Sequence, residues 1–323
     1  MWIRSFANFK KDHAVNKLNS EVENLLKRVE EAKLPSIESY DPSDARVEFS
    51  RRLRVLETEG EQIYKVIEFK VNTKTLTIPC RLYQYSEDNN IPLVIFAHGG
   101  GWVLGGLEDY DSFCRRLAKS GECNIISIGY RLAPENPHPA AFDDVLNVFL
   151  SLDQIKLNHN IKPSSIIGAG DSAGGNLIAS ASVSLPADKQ PKGQILIYPV
   201  IDASKKRKSY EEFGDKFLLD TSVMDWFIES YCSNSSRDNP DISIILSPKL
   251  HKSPNTFVMT AGLDPLRDEG LDFVKKLRKS SVSVTHSHYP DMLHGFLGMP
   301  KALSQYLDAF GEIGIWIKKI DNI

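Results

Sequence analysis

The stretch "IIGAGDSAGGN", residues 166–176, contains a serine in the spacing G-x-S-x-G. A serine in a glycine-rich turn is by itself unremarkable chemistry. The context changes that: residues 165–169 read as a strand, and "NLIASASVSL" after the glycines reads as a helix. Ser172 therefore belongs at a tight strand-to-helix turn. There the residues two before and two after it approach so closely that a Cβ would clash. Such a turn pushes the hydroxyl clear of the sheet, and the helix N-terminus behind it favours developing negative charge. This chemistry is nucleophilic attack on a carbonyl, which needs a base, an acid to orient the base, and donors for an oxyanion.

Eight histidines compete for the base. His13 falls in the expected N-terminal helix, and His159 and His251 fall in polar connectors. His138 opens a helix, and His98 starts a glycine-rich loop whose shape it would support. His286 and His288 alternate on a strand. They could ligate a metal, but no third ligand of the right kind lies nearby in sequence. His294, in "PDMLHGF", follows the last strand in a loop at its C-terminal end, the edge where sites form in open α/β sheets. Asp264 directly follows another strand, in "TAGLDPLRDEG", with Pro265 suited to a first helical position. Asp268 and Glu269 would complement the dipole of that helix's first turn. The chain order is then Ser172, Asp264, His294. "FAHGGGWVLGG", 96–106, offers three consecutive glycines whose bare N–H groups can face a small anion. A flexible turn or a phosphate loop would also use such glycines, but neither G-K-[ST] nor G-x-G-x-x-G is present.

The elements that must position these residues follow from hydrophobic periodicity. Residues 1 to about 34 read as amphipathic helix, with Val22, Leu25, Leu26 and Val29 on one face and Pro35 at the end. "QIYKVIEFKVNTKTLTIPCRLYQY" alternates and reads as an antiparallel pair with one solvated face. From residue 91, short continuous apolar runs ("PLVIFAH", "NIISIGY", "SSIIGAG", "GQILIYP", "NTFVMTAG") alternate with helical stretches at 109–119, 139–154, 174–184 and 266–279. "SVSVTHSHY" and a helix over 301–319 close the series. This rhythm predicts a doubly wound, mostly parallel α/β sheet with helices on both faces. More than fifty residues separate "ILIYPV" from "NTFVMTAG". They include "DTSVMDWFIESYC", whose Val223, Met224, Phe227 and Tyr231 share a helical face, so the insertion is a candidate lid.

The 323 residues suffice for one large domain, and 41% hydrophobic with 25% charged residues is an ordinary globular composition. The formal net charge of −3 gives no reason to expect a nucleic-acid partner. The basic run "KKRK" at 205–208 reads as a solvated loop. Four scattered cysteines form no C-x-x-C pair, so free thiols in a reducing cytosol are the simpler account. No signal peptide and no membrane span is expected, and a cytoplasmic protein follows as the expectation. A homodimer is left open.

The motifs "HGGGW" (98–102), "YRLAPE" (130–135), "GDSAGG" (170–175), "DPLRDEG" (264–270) and "HGF" (294–296) are similar to those of the hormone-sensitive lipase-like family of α/β-hydrolases. The resemblance covers roughly residues 60–318. It implies Ser172 as nucleophile, Asp264 as acid, His294 as base, and Gly100, Gly101 and Ala173 as oxyanion donors. It also implies a helical cap over a hydrolase core, giving residues 1–45 as the N-terminal cap part, 46–201 as core, 202–238 as cap insertion and 239–323 as core. Met224 and Phe227 are expected at the substrate pocket. "YRLAPE" is read as a packed loop with Arg131 and Glu135 paired. The implied activity is hydrolysis of carboxylic esters of short to medium acyl chains, with no cofactor and no metal. An amidase or lactonase would use the same residues, and a plant gibberellin receptor of similar fold lacks the catalytic histidine that this chain keeps.

Overall fold

The computed structural model describes residues 18–323 except 74, 89 and 216. His13 and the first part of the expected N-terminal helix lie outside the described residues. The described helix is α1, Ser20–Ala32, capped by the Asn19 side chain, which accepts from Glu21 N at 2.8 Å. It buries Val22, Leu25 and Leu26, but Val29 is 45% exposed, so the buried stripe is one position narrower than its spacing suggested. A second helix, α2 (Pro42–Leu56), had no counterpart in the periodicity. It starts with proline at its first turn and buries only Ala45, so it carries no apolar stripe to read.

Next come β1 (Lys65–Asn72) and β2 (Thr77–Gln84), paired antiparallel as the alternation predicts. Then follow β3 (Leu93–Ala97), α3 (Asp111–Gly121), β4 (Asn124–Ile128), α4 (Ala140–Leu150) and α5 (Leu152–Asn158). The expected single helix over 139–154 is thus two, broken at Ser151. After β5 (Ile166–Asp171) come α6 (Ala173–Ser184) and β6 (Gly193–Ile197). The insertion carries α7 (Lys208–Phe213) and α8 (Thr221–Tyr231). The chain closes with β7 (Asn255–Leu263), α9 (Arg267–Lys279), β8 (Val284–Leu293) and α10 (Tyr306–Asp321), the last starting later than the expected 301.

The eight strands form one sheet in the order β1-β2-β4-β3-β5-β6-β7-β8. Pairing is antiparallel at β1/β2 and β2/β4 and parallel from β4 to β8. Every residue of β3, β4 and β6 is buried, as strands covered on both faces must be. Alternate residues of β3 enter opposite cores. Leu93 and Ile95 pack with Trp102, Leu177 and Phe227, whereas Val94 and Phe96 pack with Phe113 and Phe310. In the basic run, Lys206 pairs with Asp225 at 2.6 Å, Arg207 with Asp202 at 2.5 Å and Lys208 with Glu212 at 3.2 Å. These three charges each have an acidic partner within the fold.

Candidate active site

The elbow at Ser172 has the expected strain. Its φ of 52° and ψ of −120° lie where side-chain-bearing residues rarely sit, at a cost of order 1–3 kcal/mol. Its neighbours hold it there: Ser172 N donates to Ile197 O at 2.8 Å, and Val200 N donates to Ser172 O at 3.1 Å. A Cβ on Gly170 would stand 2.4 Å from the Gly174 carbonyl carbon, so only glycine lets the turn close this tightly. The serine leads directly into α6, with Ala173 as its first residue.

Three strand ends meet at this point. The Ser172 hydroxyl and His294 Nε2 are 2.9 Å apart, and His294 Nδ1 and Asp264 Oδ2 are 2.8 Å apart. With the Nδ1–H tautomer, the imidazole donates to Asp264 and accepts the serine proton. Asp264 is 1% exposed, and its Oδ1 accepts from Leu266 N at 2.8 Å, which fixes the carboxylate independently of the histidine. The His294 ring also lies against Tyr198, with centroids 4.8 Å apart.

The loop after β3 supplies the candidate oxyanion donors. Gly100, Gly101 and Trp102 have φ of 105°, 61° and 62°, three consecutive residues in left-handed territory. Among the described residues, the N–H groups of Gly100, Gly101 and Ala173 take part in no hydrogen bond within the protein. A Cβ on Gly101 would stand 2.1 Å from the Phe227 ring, so this glycine also makes room for α8. His98 is shaped as expected into a structural role: its Nδ1 meets Gly99 O at 2.7 Å, its ring stacks on Tyr130, and burial pushes its pKa down to about 4.

Three further residues, Arg131, Glu135 and Glu269, differ from the sequence expectation. Arg131 does not pair with Glu135; it grips buried Asp144, with Nη2 and Oδ1 at 2.8 Å. Glu135 instead pairs with Arg46 of α2, at 2.6 Å. Sequence separation hid this partner, 89 residues away. Glu269 is not an exposed dipole partner. It is fully buried, and its Oε1 accepts from Ile201 N at 2.7 Å and Asp202 N at 3.3 Å. Burial pushes its carboxyl up to about 8, against the pull of those donors and of Arg207. Asp268 stays on the helix rim, with Oδ1 2.8 Å from Arg267 Nε, and it accepts from Ser209 N at 3.0 Å.

Asp171, inside the elbow motif, has a role that the sequence pattern does not signal. Its carboxylate accepts from Gly99 N at 2.7 Å and from the Tyr110 hydroxyl at 3.0 Å, tying the elbow to the glycine loop. Burial pushes it up to about 6, opposed by Tyr110, His294 and the Gly99 N–H. Met224 and Phe227 are both buried, 1% and 6% exposed, and the Phe227 ring lies 5.2 Å from that of Trp226. His286 and His288 do share a face, where both contact the Thr260 hydroxyl, at 2.9 and 2.8 Å. Among the described residues, no group of three or more His, Cys, Asp or Glu side chains is placed to hold a metal ion. Also among them, no helix is long and apolar enough to cross a membrane.

A strained serine hydrogen-bonded to a histidine, at the C-terminal edge of a mostly parallel sheet, has the arrangement of a hydrolase-type nucleophile elbow. A family model described as the alpha/beta hydrolase fold matches residues 94–298. Carboxylesterase NlhH of Mycobacterium tuberculosis is 35% identical over 277 residues, covering 82% of this chain and 87% of that one. An arylesterase of Saccharolobus solfataricus is 29% identical over 301 residues, covering 92% and 97%. Among solved structures, an ester hydrolase from the metagenome of Lake Arreo, complexed with a bipyridine phosphonate derivative, superposes with a TM-score of 0.88. It is 31% identical and covers 93% of this chain and 98% of its own. The chain belongs to the α/β-hydrolase fold family, in the hormone-sensitive lipase-like branch that its motifs resemble.

Proposed function

We propose that this protein is a serine carboxylesterase that hydrolyses esters of short to medium acyl chains through an acyl-enzyme intermediate. The observation that carries this reading is the continuous hydrogen-bond series Ser172–His294–Asp264, with distances of 2.9 and 2.8 Å. Ser172 Oγ attacks the ester carbonyl while His294 Nε2 takes its proton. Asp264 holds the Nδ1–H tautomer and stabilises the imidazolium. The oxyanion settles against the N–H groups of Gly100, Gly101 and Ala173, where each donor contributes on the order of 10²–10³ in rate. His294 then protonates the leaving alcohol and deprotonates the water that releases the acyl group.

Similarity to proteins named carboxylesterase and arylesterase supports an ester over an amide or lactone. The Phe227 ring standing beside Gly101 supports a limit on the acyl group. In this reading the core is residues 46–201 and 239–323. The cap comprises the N-terminal part to about residue 45 and the insertion 202–238, although α2 runs through the first boundary. Four free, buried thiols support a reducing cytoplasm as its compartment.

The test is a series of esters of increasing acyl length beside matched amides and a lactone, with Ser172→Ala as control. Short and medium esters should be cleaved fastest, and the control should lose on the order of 10³ or more in kcat. An organophosphonate should label Ser172, read by intact mass and peptide mapping. Faster turnover of an amide or lactone than of any ester overturns the substrate class; labelling of another serine overturns the nucleophile.

A further inference from the structure

The oxyanion loop is held from two sides, and one holder is a residue with no counterpart in the triad mechanism. Three consecutive residues with positive φ, one of them a tryptophan, do not stay in place unaided. On one side α8 packs on the loop. Tyr231 stacks on Trp102 with centroids 4.4 Å apart and planes 6° apart, and Phe227 fills the space beside Gly101. On the other side a single guanidinium from α2 reaches in. Arg46 Nε donates to Val103 O at 2.8 Å and Nη2 to Ala133 O at 2.8 Å. Its Nη1 and Nη2 also form a fork on Glu135, at 2.9 and 2.6 Å. Ala133 N in turn donates to Trp102 O at 2.9 Å, and the N–H groups of Val103 and Leu104 donate to Gly100 O at 3.1 and 2.8 Å. Arg46 therefore lies one residue's hydrogen bonds away from Gly100 itself.

We propose that Arg46 is a positioning residue for the oxyanion hole: its fork on Val103, Ala133 and Glu135 fixes the loop so that Gly100 and Gly101 N–H point at the developing oxyanion. A half-exposed ion pair alone would not need this geometry and would contribute little. The two bonds to carbonyls of the loop and its neighbour make the difference, and only a planar guanidinium can satisfy all three partners at once. Lysine carries its three donors on one nitrogen and has no planar fork, so it cannot make all four of these bonds. The inference rests on the esterase reading, because it assigns Arg46 to the stabilisation of that reaction's oxyanion.

The experiment compares wild type, Arg46→Ala, Arg46→Lys and Glu135→Gln on p-nitrophenyl acetate, with the inhibition constant of a trifluoromethyl ketone that forms a hemiketal oxyanion on serine. Melting temperatures are recorded for each. Arg46→Ala should lower kcat by about tenfold to a hundredfold with KM little changed, because the loss falls on the transition state. Affinity for the ketone should weaken in parallel, and millimolar methylguanidinium should restore part of kcat. Arg46→Lys should fall between, and Glu135→Gln should lose least, since the bonds to Val103 and Ala133 survive in it. A folded Arg46→Ala with unchanged kcat and unchanged ketone affinity overturns the proposal, as does a loss confined to KM. Should Arg46→Ala not fold, Arg46→Lys decides by the same two readouts: an unchanged kcat there overturns the proposal. Wild type that cleaves no ester at all overturns the esterase reading instead, and the two failures are thereby told apart.

Discussion

At the scale of single residues, the acidic cluster 264–269 separates into three environments. Asp264 faces His294, Asp268 sits at the helix rim beside Arg267, and Glu269 is sealed inside. Asp264→Asn should fold, because its side-chain oxygen can still accept from Leu266 N. Its amide, however, would present N–H to His294 Nδ1 and favour the Nε2–H tautomer, which cannot take the Ser172 proton. We expect kcat to fall on the order of 10³–10⁴. Asp268→Asn keeps its acceptor for Ser209 N and loses only a rim ion pair, worth about 1 kcal/mol or less. Steady-state kinetics of the two variants check this. Loss of turnover in Asp268→Asn with an active Asp264→Asn would reverse the assignment. The residues brought together here were legible because each sits directly after a strand, where chain order and turn chemistry are local signals. Arg46, Asp144 and the burial of Glu269 were not, because their partners are set by packing between distant segments.

At the scale of elements, the buried strands and most helices announced themselves through periodicity, whereas α2 did not. A helix that buries only Ala45 has no stripe to detect, yet this one delivers Arg46 to the glycine-rich loop after β3. Helix α8 was legible, and its apolar face does pack inward: Val223, Met224, Phe227 and Tyr231 are all buried. The Phe227 ring stands where a Cβ on Gly101 would be, which on the proposed reading makes it a candidate limit on the acyl group. Phe227→Ala should shift the preferred acyl chain to longer groups, changing the long-to-short ratio of kcat/KM by about tenfold, within the range a few methylenes can discriminate. It will also lower the melting temperature, since truncating a core phenylalanine costs about 3–5 kcal/mol. Phe227→Leu and Met224→Ala separate the two effects, because they disturb packing less. If all three variants rank the ester series as wild type does and differ only in stability, α8 merely packs and does not select.

At the scale of the whole molecule, the sheet order brings the ends of β3, β5, β6, β7 and β8 to one edge, and the buried carboxyl of Glu269 joins two of them. It extends from α9, just after Asp264, to the backbone of Ile201 and Asp202, beside the Val200 that bonds to Ser172 O. Its Oε2 has no partner among the described residues. The groups facing it are Arg207, Asp202 and the Tyr210 hydroxyl. Because burial raises this carboxyl from 4.5 to about 8, the folded state holds its proton over a pH range in which the unfolded chain has already released it. Where the folded state binds more protons, stability falls as pH rises. The contribution is therefore full below about 4.5 and is lost progressively up to about 8. Glutamine keeps a carbonyl for the two N–H donors and carries no titratable proton. The melting temperature of Glu269→Gln minus that of wild type should accordingly increase from pH 5 to pH 8 and level off above it. The burial-raised Asp171 titrates in the same window but is common to both proteins, so it cancels in the difference. Melting curves across that range decide the matter. A difference that stays constant with pH would mean Glu269 is ionised in the folded protein throughout, held by its backbone donors and Arg207 rather than kept neutral by burial.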